Sequence, residues 1–258
     1  MRIARFVRGD ARPQYAFVQK DQNDGRDYLV ALNGYPFSSE QVEPTGERCP
    51  LDGEGVRLLV PLLPSKVYGM AHNFRGEAGA RPQLYLKPSS AVAGPDDPIV
   101  RPAFSRKIVC SPMLAVVIGR LCRNVAERDA LRQVLGYSIV DDVCAADVEK
   151  TDSSWVRARS FDTSMPMGPW LQTELDPASA SLSASLNGET VPEACGNTSE
   201  LLRSVAQEIS CVSGFSTLLP GDVIISGAPC EGVEVAPGDE IVVTVPGLGA
   251  LRNVIVAQ

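Results

Sequence analysis

The chain has one histidine, His72, in 258 residues, so a single imidazole is available for proton transfer near neutral pH. No apolar run approaches the roughly 18 residues that a membrane-spanning helix needs. The opening MRIARFVRGD lacks the apolar core of a signal peptide, and a cytoplasmic protein is expected. Basic residues are outnumbered, 24 against 31 acidic, for a formal charge of −7. That balance argues against nucleic acid or an anionic membrane as partner, because both are held by basic patches. The seven cysteines (49, 110, 122, 144, 195, 211 and 230) include no Cys-x-x-Cys pair. An odd number of cysteines in a chain large enough to fold without staples reads as reduced thiols. Internal repeats, low-complexity tracts and a dinucleotide-type glycine fingerprint are also missing.

What is present is a chain with 44% apolar residues, enough to bury a full core. Its centre is the stretch RKIVCSPMLAVVIG, Arg106 to Gly119. From Met113 to Ile118 it is unbroken, apolar and rich in β-branched residues, as a strand buried on both faces would be. Residues 1–60 alternate short strand-like runs with turn clusters, which predicts a small N-terminal β-rich domain. The prolines of PLLPSK (61–66) favour an extended linker into a larger domain, 61–258. Within it, Lys66 to Ala71, GYSIVDDV from Gly136, Leu182 to Leu186 and a hairpin turning at Gly247–Gly249 read as strands. Apolar spacing predicts one helix from Asn124 to Leu135, capped by the asparagine, and another from about Ser199 to Gly214, capped by Thr198. Many strands and two helices give an α+β, β-rich class with a mixed β-barrel or β-roll.

The blocks SKVYGMAHNFRG, LYLKPSSAVAGPDDPIV, LAVVIGR, RNVAERDAL, GYSIVDDVCAAD, RARSFDTSMPMGPW, GNTSELL, LPGDVIISGAP and GLGALRN resemble, in order, the signature blocks of the fumarylacetoacetate hydrolase family. They span about 61–258, and the N-terminal segment is similar to the small domain of bacterial members named as 2-hydroxyhepta-2,4-diene-1,7-dioate isomerases. The resemblance implies that fold. It also implies a divalent metal held by a Glu-x-Glu pair and a third acidic residue. Those positions are Ser111, Met113 and Asp142 here. A hydroxyl and a thioether are poor partners for a hard cation, so no metal and no other cofactor is expected. Met113 then fills the place of the ion. Asp142 becomes either a carboxylate bonded to its neighbours or a general base.

The resemblance further implies a His-x-x-Glu pair on a loop. Its histidine falls on Glu77 and its glutamate on Ala80, so that dyad is absent. Asn73, Phe74 and Arg75 match the block before it. Catalytic candidates are therefore Asp142, Glu77 and Lys87, with proton transfer assigned to Asp142 or Glu77 and not to His72. Candidates for holding substrate are Arg75, Lys87, Ser111, Arg157 and Arg159, the last replacing a family lysine with a fork suited to carboxylates. Asn197 and Thr198 join them on a loop that resembles one offering N–H groups and a hydroxyl to substrate oxygens. Cys144, beside Asp142, is expected to be buried and inert.

Three functions remain open, since one fold hosts many. First is a diverged, metal-independent enzyme acting on a small acidic oxo or enol compound, by isomerisation, decarboxylation, cyclisation or C–C cleavage. Second is a non-catalytic binding relative. Third is a metal-dependent acylpyruvate-type hydrolase or decarboxylase. A homodimer is what the resemblance implies for assembly.

Overall fold

The computed structural model describes residues 1–37, 42–75 and 83–258. The first strands are β1 (Arg2–Arg8), β2 (Gln14–Lys20), β3 (Asp27–Leu32), β4 (Pro44–Pro50), β5 (Val56–Leu59), β6 (Lys66–Ala71), β7 (Gln83–Pro88), β8 (Val92–Ala93), β9 (Ile99–Arg101) and β10 (Ile108–Ile118). Next come α1 (Glu127–Ala130), β11 (Val134–Ala145), α2 (Ala146–Glu149), α3 (Val156–Arg159), β12 (Met165–Gln172), β13 (Ser181–Leu186), β14 (Glu189–Thr190) and β15 (Gly196–Asn197). The chain closes with α4 (Val205–Phe215), β16 (Val223–Ile225), β17 (Val233–Val235), β18 (Glu240–Val245) and β19 (Gly249–Ala257). The class is α+β and strand-rich, as the sequence pattern predicts.

Among the described residues one sheet runs β4-β3-β2-β1-β12-β11-β10-β16-β6-β7, and a second runs β14-β13-β18-β19-β9. Residues 1–60, expected as a small N-terminal β-rich domain, carry β1 to β5, and β1 pairs with β12 at Arg2 opposite Gln172. Strand β10 lies inside that sheet with all 11 residues buried. Its side chains alternate between faces. Leu114, Val116 and Ile118 join the core cluster shared with the second sheet and α4, while Met113, Ala115 and Val117 join the cluster on the opposite face. Burial on both faces is why this run carries almost no polar residues.

Both predicted helices are shorter in the structure. The first occupies only 127–130 before a 3₁₀ turn over 131–133. Asn124 does not cap it, because its φ of 52° places it in the left-handed region, and Val134 is already drawn into pairing with Ile118. The second helix begins at Val205, where Ser204 and Gln207 form a capping box. Thr198 instead opens a separate 3₁₀ turn capped by Asn197.

Candidate functional site

Ser111 and Met113 lie two residues apart on β10 and so share a face. Asp142 of β11 is the partner directly opposite Ser111. The three family metal positions are thus brought together. Beside them, the end of β6 and the turn after β16 close a small cavity of about 50 Å³. His72, Ser111, Met113, Arg159, Cys230 and Glu231 are among its walls. His72 turns the chain at the end of β6 with φ of 53°, a conformation that histidine tolerates better than most residues but that still costs free energy.

Asp142 is fully buried, and its carboxylate is surrounded by protein donors. Tyr85 donates its hydroxyl to Oδ2 at 2.7 Å. Arg159 donates Nη1 to the same oxygen at 2.6 Å. Lys87 Nζ lies 2.9 Å from Oδ1 as an ion pair. Each of these partners has its own structural cause. Tyr85 and Lys87 are two apart on β7, so their side chains leave on one face. The Tyr85 ring lies across Gly69, its pairing partner on β6, where a Cβ would come within 2.0 Å of the ring. Arg159 sits at the end of α3. It donates Nε to Glu149 at 2.6 Å, with its guanidinium carbon 4.5 Å from the centre of the Tyr85 ring and 5.2 Å from that of Trp155.

The electrostatics follow from burial. Loss of water lowers the Lys87 pKa, while the Asp142 charge works to hold the proton on. Burial, then the Asp142 charge, pushes the Tyr85 phenol well above its ordinary range. Burial opposes the charge on Arg159, yet Asp142, Tyr85, Cys144 and Glu149 raise its pKa further, so it stays a cation. Cys144 is buried and its thiol is pushed up to about 12 by desolvation, which leaves it protonated at neutral pH.

The other candidates scatter. Lys87 was expected to hold substrate, but it is fully buried. Its ammonium also donates to Val143 O at 3.2 Å, Ser164 O at 3.0 Å and Arg159 O. More oxygens surround it than it has protons, which leaves none for a ligand. Arg157 grips Asp152 through Nε at 2.8 Å and Nη2 at 2.6 Å and lies over Phe104, away from the cavity walls. Arg75 is exposed, with its backbone N–H on Glu200 O at 2.9 Å. Asn197 Oδ1 accepts from Ser199 N at 2.9 Å, and Thr198 Oγ1 accepts from Ala180 N at 2.7 Å, so both side chains brace their own loop. That loop still approaches the site: a Cβ on Gly196 would come within 2.7 Å of Pro229. Ser111 does line the cavity. Glu77 lies outside the described residues.

Tyr85, Glu149 and Trp155 were not anticipated. Tyr85 had a readable signal, two residues before Lys87 on one strand. Glu208 is a second omission. It is fully buried on the core face of α4, accepting from Asn73 Nδ2 and from Ser226 Oγ, each at 2.8 Å. Burial pushes its pKa up to about 8. Its place between Val205 and Val212 on the apolar stripe was legible.

A divalent metal does not fit the residues present. Asp142 is the one carboxylate at the three positions, and its oxygens already face Arg159, Tyr85 and Lys87. Among the described residues no group of three or more His, Cys, Asp or Glu could hold a metal.

The model for the fumarylacetoacetate (FAA) hydrolase C-terminal region matches residues 67–256, and an Rv2993c-like N-terminal model matches 1–61. A solved structure named 2-hydroxyhepta-2,4-diene-1,7-dioate isomerase from Mycobacterium marinum is 35% identical, with a TM-score of 0.90 over 100% of this chain and 99% of that one. The human protein named oxaloacetate tautomerase FAHD2A, mitochondrial, is 34% identical over 68% of this chain and 59% of its own length. Maleylpyruvate hydrolase from Sphingobium sp. SYK-6, solved with manganese(II) and pyruvate, is 26% identical with a TM-score of 0.79, covering 100% of this chain and 99% of that one.

Proposed function

Because the chain belongs to the fumarylacetoacetate hydrolase family, we propose that it is a diverged enzyme of that family. It moves a proton within a small acidic oxo or enol compound, and it does so without a divalent metal at Asp142. The observation that carries this reading is Arg159, a permanent cation that binds Asp142 and also lines the cavity with His72, Ser111 and Glu231. A guanidinium can hold a carboxylate or an enolate oxygen by hydrogen bonds and charge. Isomerisation or tautomerisation asks for little more than such a cation and a group that exchanges protons, since no atoms are added or lost. Relatives named as an isomerase and a tautomerase lie in the same range of reactions.

Asp142, the base expected from sequence, is spent on its own partners. Proton exchange passes to His72, which lines the cavity and whose imidazole is the side-chain type suited to neutral pH. Glu77 is the other candidate, named from sequence alone. The cavity of about 50 Å³ takes one end of a substrate, because whole-ligand pockets run to roughly 300 Å³ or more. That small volume is also the observation that favours a second reading, a relative that binds an anion without turning it over.

The test uses the enol form of oxaloacetate, whose ketonisation is followed by its ultraviolet absorbance, in the presence of EDTA. A rate above buffer that is proportional to protein and unchanged by chelator is expected. His72→Asn is expected to lower it roughly 10²–10⁴-fold with folding intact, the range for loss of a general acid or base. Absence of turnover, with 2-hydroxyhepta-2,4-diene-1,7-dioate equally inert, supports the binding reading instead.

A further inference from the structure

One relative is solved with manganese(II), whereas in this chain the corner of Ser111, Met113 and Asp142 is closed by the chain's own side chains. We infer that the Arg159 guanidinium, with the Tyr85 hydroxyl, serves as the built-in counter-ion of Asp142 and excludes such an ion. The exclusion deepens the metal-independent part of the proposed function and follows from side-chain geometry, whatever the reaction.

Three observations converge on it. The first is occupancy. Asp142 Oδ2 receives both Arg159 Nη1 at 2.6 Å and Tyr85 OH at 2.7 Å, and Oδ1 faces Lys87 Nζ at 2.9 Å. An ion approaching Oδ2 would have to displace one of its two donors, and one approaching Oδ1 would meet the Lys87 ammonium. The second is anchoring. The Arg159 side chain is only 15% exposed. Its Nε is held by Glu149 at 2.6 Å, and the Tyr85 and Trp155 rings lie 4.5 and 5.2 Å from its guanidinium carbon. Leaving Asp142 would break the geometry of the Glu149 pair and uncover both rings.

The third observation is charge. Lys87 and Arg159 are matched by Asp142 and Glu149, so this set of four is neutral. A dication placed among them would add charge where little water can screen it, with Glu231 the carboxylate on the cavity wall to offset it. Ser111 and Met113 supply no anion against that excess. Met113 instead fills space, its sulfur 4.0 Å from the Tyr85 hydroxyl. Restoring two carboxylates at Ser111 and Met113 would therefore still leave the Arg159 guanidinium on Asp142.

Titration of the full-length protein with Mn²⁺, reading free ion by electron paramagnetic resonance, tests this. Wild type is expected to take up no stoichiometric Mn²⁺. The variant Ser111→Glu/Met113→Glu is expected to bind it weakly at best. Adding Tyr85→Phe and Arg159→Met is expected to bind one ion per chain at least tenfold more tightly than the two-carboxylate variant. Tight binding by wild type overturns the inference, as does equal binding by the two variants when both are folded. A second measurement needs neither variant. Thermal midpoints of Arg159→Met, Asp142→Asn and their combination are expected to be strongly non-additive, the combination melting no lower than Arg159→Met alone. Additive losses would show that Asp142 does not depend on this cation.

Discussion

Lys87 keeps a charge where there is no water, and the oxygens around it decide what it can do. It ends the apolar run LYL, where a charge needs an anion, and the sequence places it among the catalytic and substrate-holding candidates. The need was read correctly and the partner was not, because the anion is Asp142 of the same chain. Removing the ammonium leaves the buried Asp142 carboxylate and the partly exposed Glu149 sharing one guanidinium. Lys87→Met is therefore expected to lose about 3–5 kcal/mol in urea denaturation, with part of it regained when Asp142→Asn is added. Glu208 makes a prediction about pH. Its carboxyl pKa rises from 4.5 to about 8 on burial, so the native state holds a proton that the unfolded chain releases. Stability is then unaffected below pH 4.5, falls as pH rises from 4.5 to 8, and is lowest above that. A shift of this size corresponds to about 4–5 kcal/mol. Glu208→Gln keeps the shape without the charge. Its stability relative to wild type is expected to improve by several kcal/mol between pH 5 and pH 9, measured by denaturation at each pH. A difference that stays flat with pH would mean the carboxyl is ionised in the fold.

At the scale of elements, strands were read better than helices, for a physical reason. Lys66–Ala71 and the buried run ending at Ile118 are specified by their own side chains, which face apolar clusters on both sides of the sheet. The helix predicted over 124–135 lost its last turn to sheet pairing, which claims Val134. For α4 the stronger cap signal was Ser204 with Gln207 three residues later, not Thr198. Ser204→Ala is expected to cost about 0.5–2 kcal/mol, and Thr198→Ala to leave the melting of α4 itself unchanged, as hydrogen exchange along the helix would show. Gly69 sets the position of Tyr85 from the neighbouring strand. A methyl there would meet the ring at 2.0 Å, so Gly69→Ala is expected to displace Tyr85 from Asp142 and destabilise the protein, with the loss visible in the near-ultraviolet dichroism of Tyr85 and Trp155.

Across the whole molecule, the fold and the three metal positions were legible because nine colinear blocks carried the family resemblance, and the pairing of β10 with β11 brings those positions together. What the spacing of residues could not show is who compensates Asp142. That depends on Tyr85 and Lys87 from β7 and on Arg159 from α3, elements far apart in the chain. Ser111 and Arg159 of the expected substrate-holding set line the cavity, whereas others of the set are held elsewhere by nearer partners. Arg157 and Thr198 carry suitable groups, but Asp152 and the Ala180 backbone are nearer. The most direct measurement is a crystal structure of the wild-type protein soaked in Mn²⁺, with anomalous differences collected at the manganese edge. The prediction is no peak near Ser111, Met113 and Asp142, with Arg159 on Asp142 as described. A peak within about 2.0–2.6 Å of an Asp142 oxygen, with Arg159 swung away from it, would contradict it.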